Sequence, residues 1–182
     1  GKIFIDKTDY LEYSKQEIRN NIGIILQDPA IFEGTIKSNI AFGMDVKDEV
    51  IEELLERIGA EKFVDGFENG IHSHVSYMGE NLSTGEKQLI AFARILLRDP
   101  AIMILDEATA NIDSETEGLI QAALTVLSKE RTTFVVAHRL STIKNADIIY
   151  VLDDGKIIES GSHQELYDIE NGVYRAMYDA LS

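Results

Sequence analysis

Two adjacent carboxylates, Asp106 and Glu107, directly follow the apolar run AIMIL. A run that is apolar at consecutive positions predicts a strand buried on both faces of a parallel sheet, and α/β sheets bind ligands at the carboxyl ends of such strands. The pair therefore fits a Mg²⁺ ligand beside a general base, since Mg²⁺ prefers hard oxygen ligands and an attacking water needs a proton acceptor. An ordinary acidic strand end that begins a loop is the simpler interpretation, and the pattern alone does not decide between the two.

Two more polar residues end apolar runs, Gln27 in IGIILQ and His138 in TTFVVAH. A neutral amide can accept a hydrogen bond from a Mg²⁺-bound water, and an imidazole N–H can donate to a phosphate. A polar strand terminator and a structural histidine are the alternative interpretations. The other histidines, His72, His74 and His163, lie in no motif and are interpreted as structural.

The spacing of Ser83 and Glu86 is that of a capping box, which predicts the start of a helix over 82–99. Free N–H groups at a helix N-terminus bind anions, so a structural cap and a phosphate site are compatible at this position. Asp113, just before SETEGLIQAAL, is a candidate N-cap of a further helix.

Composition narrows the class of protein. The chain has 182 residues, 45% hydrophobic and 27% charged, which fits one soluble globular domain with a sizeable core. Seventeen basic and 32 acidic residues give a net charge of -15, so a phosphate backbone would be repelled and nucleic acid is not expected as a partner. The absence of cysteine excludes a disulfide scaffold and a thiolate metal site. No apolar run approaches the roughly 18 residues of a membrane span.

The elements that must position these residues alternate between strand and helix patterns, which predicts an α/β fold. Five short apolar runs predict strands of a mainly parallel sheet, at residues 1–5, 22–27, 101–106, 132–138 and 147–153.

Two helical patterns lie between the second and third strands, over 46–59 and 82–99, and predict an inserted helical subdomain at about 29–95. Their predicted apolar faces consist of Val50, Ile51, Leu54, Leu55 and Ile58 in the first helix and Leu89, Phe92, Ala93, Leu96 and Leu97 in the second. The Asp-Gly pair in DDGKIIESG predicts a tight hairpin over 153–161.

Four segments resemble the motifs of ATP-binding cassette (ABC) ATPases, in the order of that family. ILDEATANID resembles the Walker B strand and D-loop, and IILQDPAIFEGTIKSNI the Q-loop and the segment after it. MGENLSTGEKQLIAFAR resembles the X-loop and signature sequence, and VVAHRLST the switch-histidine loop. The resemblance covers nearly the whole chain and implies a P-loop NTPase-like three-layer core. Residues 1–28 and 96–182 would form a RecA-like core, and 29–95 the helical signature subdomain.

The resemblance implies ATP and Mg²⁺ as cofactors and gives each strand-end residue a role. Asp106 would hold Mg²⁺ through water, with Gln27 as a second metal contact that relays the nucleotide state to a membrane domain. Glu107 would polarise the attacking water, and His138 would donate to the γ-phosphate.

The signature residues Ser83, Thr84, Gly85 and Glu86 would contact the γ-phosphate of ATP bound to an opposite subunit. Asp113 would meet the P-loop of that subunit, so the resemblance implies a head-to-tail dimer. The sequence departs from the commonest signature, LSGGQ, at Thr84 and Glu86. The extra carboxylate is expected to weaken phosphate binding unless it folds back on the helix cap.

The phosphate-binding loop G-x-x-x-x-G-K-[ST] is absent from the sequence. In the family it precedes a segment like GKIFIDKTDYLEYS, so we expect the chain to begin just after it, without the first P-loop strand and its helix. We therefore expect the isolated chain to bind MgATP poorly, and its sheet to expose apolar surface.

The implied parent is an exporter-type ABC transporter subunit that couples ATP hydrolysis to transport. GTIKSNIAFG and YMGEN favour an exporter over an importer. The expected partners are a second nucleotide-binding domain, in a homodimer or heterodimer, and a transmembrane domain of the same parent chain, at the cytoplasmic face of the cell membrane. A soluble ABC ATPase of the repair or translation type, or a non-catalytic module without a P-loop, stays open.

Overall fold

The computed structural model describes residues 1–26, 28–106, 114–129, 131–136 and 143–181, with the backbone alone at 114–117 and 181. The chain divides into two compact units, Gly1–Val135 and Val136–Ser182, and each is described by itself. Within the described residues, no helix has the length and apolar character needed to cross a bilayer.

A three-stranded sheet forms the base of the first unit, in the order β3 (Ile22–Ile25), β6 (Ile102–Asp106) and β7 (Thr132–Val136). Strands β3 and β6 are parallel, with Ile22 opposite Ile102 and Ile25 opposite Leu105. Helices α5 (Thr84–Arg98) and α6 (Ser114–Ser128) pack against each other, and α5 also packs on β3. The predicted α/β fold with a parallel sheet is confirmed.

The two faces of this sheet have different surroundings. Ile25, Leu105 and Val135 share a cavity with side chains of α5 and α6, so these helices cover one face. On the other face Ile24 is 54% exposed, and Phe134 and Val136 of β7 are also exposed. Among the described residues, burial is therefore found on the face that α5 and α6 cover, and the predicted burial of the other face is not.

Helix α5 occupies the centre of the core of the first unit. It packs on α2 (Ile36–Ala41), α3 (Asp48–Arg57), α6 and β3. The buried core includes Ile36, Ile40, Ile51, Leu55, Leu89, Ile90 and Met103. The core of this unit is therefore built around the helix that begins at the predicted capping box.

The two helix predictions are confirmed within two residues at each end. The predicted face of α3 is buried at Ile51, Leu54, Leu55 and Ile58, but Val50 is 40% exposed and its assignment to that face was wrong. On α5 the predicted face is buried at Leu89, Phe92, Ala93 and Leu96, and Leu97 is half-buried. A short helix α4 (Glu61–Asp65) follows α3, and the pair β4 (Gly34–Thr35) and β5 (His74–Val75) joins two loops of this region.

The N-terminal strand prediction fails. Residues 1–5 contain the two-residue strand β1 (Phe4–Ile5), which pairs antiparallel with β2 (Thr8–Asp9) apart from the main sheet. Asp6 and Lys7 have positive φ angles of 48° and 69°, so the chain turns back after two residues. Helix α1 (Lys15–Asn21) follows, capped by Ser14.

The described part of the second unit contains an antiparallel hairpin followed by helices. Strands β8 (Ile149–Asp153) and β9 (Lys156–Gly161) pair through Asp154 and Gly155, whose positive φ angles of 45° and 71° match a type I′ turn. The Asp-Gly prediction is confirmed, although β8 pairs antiparallel rather than within the parallel sheet. Helices α7 (His163–Tyr167) and α8 (Val173–Leu181) complete the unit, with Glu159 accepting from the N–H groups of Val173 and Tyr174.

We expect the exposed sheet face to drive self-association. Contiguous exposed apolar surface favours association, and β7 lies at an edge of its sheet. Replacing Phe134 and Val136 by Thr should therefore shift sedimentation velocity profiles towards the monomer at a given concentration. Leu11→Thr, at a residue 75% exposed outside the sheet, serves as the control. A wild-type chain that stays monomeric at all concentrations would contradict this account of the sheet.

Candidate functional site

The ends of β3, β6 and β7 surround one small cavity, which we call the strand-end cavity. Leu26, Asp106 and Val135 contribute to its lining. Four predicted site residues, Gln27, Glu107, Asp113 and His138, lie outside the described residues, so their places in the site stay predictions. The chain neighbours of Gln27 and Glu107, which are Leu26 and Asp106, do lie at this cavity.

The side chain of Asp106 is exposed at the end of β6 and makes no hydrogen bond or ion pair with the described residues. A free carboxylate is a hard oxygen donor of the kind that Mg²⁺ prefers. The described residues contain no cluster of three His, Cys, Asp or Glu side chains able to hold a metal. The Asp106 carboxylate is thus available to a ligand at the end of β6.

The predicted capping box at the start of α5 is confirmed. Ser83 Oγ accepts from the Glu86 N–H at 3.2 Å, and the Ser83 N–H donates to Glu86 Oε2 at 2.6 Å. Glu86 therefore folds back on the cap, which is the arrangement that limits its interference with an anion. The N–H groups of Thr84 and Gly85 have no intrahelical acceptor, as at any helix start. The signature turn, which we define as residues 82–86, thus presents backbone N–H donors. The Glu86 carboxylate beside them is hydrogen-bonded to the Ser83 N–H.

Asn81 holds the loop that precedes the signature turn. Its Oδ1 accepts from the N–H and the hydroxyl of Ser76, both at 2.9 Å, and its Nδ2 donates to the His74 carbonyl at 2.9 Å. A Cβ on Gly79, which has a φ of 65°, would lie 2.9 Å from Ile31 Cγ2. The X-loop-like segment is therefore packed directly against the segment that follows Gln27.

A buried amide organises the segment after Gln27. Asn39 is 2% exposed, and its Oδ1 accepts from the Phe32 N–H at 2.9 Å. Its Nδ2 donates to the carbonyls of Phe32 at 2.8 Å and Thr35 at 3.0 Å. The backbone of this segment is thus fixed to helix α2.

Arg94 connects the same segment to α5. Its Nε donates to the Asn39 carbonyl at 2.9 Å, its Nη1 donates to the Ala30 carbonyl at 3.0 Å, and the guanidinium lies 4.8 Å from the centre of the Phe42 ring. Burial, with a smaller contribution from Arg98, lowers the pKa of Arg94 from its ordinary value. Sequence reasoning missed both Asn39 and Arg94, although a lone arginine within the apolar run LIAFARILL was a signal for the latter.

Large apolar side chains are exposed around this polar framework. The rings of Phe32 and Phe42 lie 5.5 Å apart, and both are about half exposed. Tyr77 and Met78, in the loop that Asn81 holds, are 68% and 62% exposed. We call these four residues the apolar platform. Exposed apolar groups of this size make these residues candidates for a protein interaction surface.

Two of the three histidines outside the motifs, His72 and His163, have structural contacts. His72 Nε2 lies 2.8 Å from Asp48 Oδ2, and His163 Nδ1 lies 2.7 Å from the Tyr174 hydroxyl. The carboxyl pKa of Asp48 is lowered by Lys37 first and then by His72. These contacts support the structural interpretation of both histidines.

Comparisons with known proteins agree with this geometry. Residues 1–110, more than half of the chain, match the family described as ABC transporter. The chain is 49% identical over 178 residues to a putative ABC transporter ATP-binding protein, exp8, of Streptococcus pneumoniae, covering 98% of the chain and 30% of that protein. It is 51% identical over 180 residues to YheH of Bacillus subtilis, a probable multidrug resistance ABC transporter ATP-binding/permease protein, covering 98% of the chain and 27% of YheH.

A solved structure of a bacterial Atm1-family ABC exporter with ATP bound has the same fold. The two structures match with a TM-score of 0.88 at 36% sequence identity. The match covers 99% of this chain and 32% of the exporter chain. The chain spans about 30% of the length of the curated relatives above. On these matches and this geometry, the chain belongs to the ABC transporter family, as an exporter-type ATP-binding domain.

Proposed function

We propose that this domain binds and hydrolyses MgATP to drive export through a membrane domain, at the cytoplasmic face of the membrane. The observation that carries the proposal is the position of Asp106. Its free carboxylate ends a strand of the sheet on which α5 packs, and α5 begins at the capped signature turn. The core thus offers a metal ligand for one nucleotide at a strand end, and it presents an anion-binding helix start that suits the phosphates of a second nucleotide.

The strand-end residues would carry the chemistry. Asp106, with Gln27, would hold Mg²⁺, which neutralises charge on the phosphates when it is bound. Glu107 would accept a proton from the attacking water, and His138 would donate a hydrogen bond to the γ-phosphate. Phosphoryl transfer needs positioning and charge neutralisation more than covalent chemistry, so these roles suffice if a phosphate-binding loop is supplied.

The signature turn would serve the nucleotide of a second domain in a head-to-tail dimer. Ser83 Oγ and the N–H groups of Thr84 and Gly85 suit a γ-phosphate, because the free donors and the positive end of the helix dipole favour an anion. Asp113 would contact the phosphate-binding loop of the partner. Residues 29–95 would act as the signature subdomain, and 1–28 with 96–182 as the core.

The apolar platform would receive the membrane domain. The aromatic rings of the platform are exposed, and hydrogen bonds of Asn39 and Arg94 fix the backbone near Phe32. This apolar surface is fixed next to the segment after Gln27. A displacement of a helix docked on it can therefore be transmitted to α5. This surface does not determine which compound is exported.

A non-catalytic role of the domain is the second candidate. It and the soluble ABC ATPase would share the core described above, but would make no use of a platform for a membrane domain. The full-length gene product that contains this domain distinguishes the three functions.

The isolated chain should hydrolyse MgATP negligibly, because it lacks the loop that binds the phosphates. The full-length protein should hydrolyse ATP, and Glu107→Gln should reduce its turnover by roughly 100-fold or more through loss of the general base. Phosphate release measured on both proteins is the assay. Turnover by the isolated chain that equals that of the full-length protein, and is abolished by Glu107→Gln, would show that a phosphate-binding loop is unnecessary.

Glu86→Gln should strengthen ATP-dependent dimerisation. The amide keeps an oxygen for the Ser83 N–H but removes a negative charge beside the proposed phosphate site, a change worth about two- to fivefold in affinity. The measurement is the ATP concentration that gives half-maximal dimer in a full-length Glu107→Gln background. Glu17→Gln is the matched control, since Glu17 caps α1 in the same way, 2.8 Å from the Ser14 N–H. An equal effect of both substitutions, or none at Glu86, would contradict the placement of the signature turn at the nucleotide.

A further inference from the structure

Gln88, in the second turn of α5, has a polar atom without a partner. The residue is 4% exposed, and its Oε1 is buried without a hydrogen bond from any described residue. A buried acceptor that lacks a donor costs stability, and native proteins almost always satisfy such atoms, by ordered water where no protein group is available. Gln88 Oε1 therefore points to a missing hydrogen-bond donor.

The side chain of Gln88 lines the strand-end cavity. The lining is apolar except for Gln88 and Asp106, and comprises Ile25, Leu26, Gln88, Phe92, Leu105, Asp106, Ile120, Leu124 and Val135. The cavity has a volume of about 20 Å³, which is room for a single water molecule. It lies where α5, α6 and the strand ends meet, so a molecule inside it would touch both the helix and the sheet edge.

Gln88 and Asp106, the two polar residues that line this cavity, match the hydrogen bonds of one water. Gln88 Oε1 and the Asp106 carboxylate oxygens can both accept hydrogen bonds, and a water has two O–H groups to donate. If the amide of Gln88 is turned the other way, its N–H₂ can donate to the same water, which then donates to Asp106. Either orientation satisfies the buried polar atom of Gln88 that lacks a partner and leaves the second carboxylate oxygen of Asp106 free.

We propose that Gln88 is a positioning residue for Asp106, acting through one water bound in the strand-end cavity. This rests on the proposed function of Asp106 as a Mg²⁺ ligand. Partners that orient a metal ligand tune the affinity of the site, although they never touch the metal. Gln88 lies five residues after Ser83 on the same helix, about 7.5 Å along its axis. A phosphate that binds at the signature turn can thus change the position of Asp106 in the same chain, through a movement of α5.

The structural test is a crystal structure of the wild-type chain at a resolution that shows ordered water. We expect one water within about 3.2 Å of both the Gln88 side-chain amide and the Asp106 carboxylate. In Gln88→Met, whose side chain has a similar size and no amide, this water should be absent. A wild-type cavity without a water, or a water that contacts Gln88 and not Asp106, overturns the proposal whatever the activity.

The functional test is the Mg²⁺ dependence of ATP hydrolysis by the full-length protein. Gln88→Met should raise the Mg²⁺ concentration for half-maximal turnover by about tenfold, the effect typical of lost support for a metal ligand. Gln121→Met is the matched control, because Gln121 on α6 also has a buried nitrogen without a partner but does not line the cavity. A change in the maximal rate with an unchanged Mg²⁺ requirement, or an equal shift in both variants, overturns the proposal.

The two tests separate the proposal from the proposed function. A water bound to both groups in a protein that never hydrolyses ATP supports the hydrogen-bond network and contradicts the catalytic role instead. An active ATPase without that water contradicts the role of Gln88 alone.

Discussion

The close packing of α5 on the sheet is the constraint on which the rest of this structure depends. A Cβ at Gly23, in the middle of β3, would lie 2.8 Å from Pro100 Cγ and 3.1 Å from Ile95 Cγ2. Only glycine leaves room for the last turn of the helix to approach this closely. Because the helix lies so near the strand, its first turn is fixed relative to the strand end that carries Asp106. A displacement at one of these two positions can therefore be transmitted to the other within the chain.

Polar side chains at the start of α5 and along it connect the helix to three other parts of the first unit. Ser83 fixes the helix start, Gln88 reaches the strand-end cavity, and Arg94 binds carbonyl groups of the segment after Gln27. Arg94 keeps its charge in a partly buried position because two carbonyl oxygens and the face of Phe42 replace part of its hydration. One helix therefore contacts the proposed nucleotide edge, the proposed dimer surface and the apolar platform. A shift at any of these can be passed to the others as movement of a rigid element.

Local patterns predicted the parts of the structure that local forces determine. The Ser83 capping box and the Asp154-Gly155 turn are set by hydrogen bonds and φ angles within four residues, and both were read correctly from the sequence. The strand at 1–5 was not, because two positive φ angles at Asp6 and Lys7 follow no apolar pattern. Gln88, Asn39 and Arg94 escaped prediction because their roles depend on backbone groups and cavities that only tertiary packing brings near them. Gln27, Glu107, Asp113 and His138, assigned by family resemblance, remain predictions.

The central claim is that α5 offers its signature turn to a nucleotide whose metal is held by the Asp106 of a second domain. A crystal structure of the full-length Glu107→Gln protein with MgATP tests it most directly. The account predicts a γ-phosphate within about 3 Å of the Ser83 hydroxyl of one subunit, with its Mg²⁺ next to Asp106 of the other. A bound nucleotide whose phosphates and metal are held by Ser83 and Asp106 of the same subunit, or with Ser83 facing solvent, would contradict it.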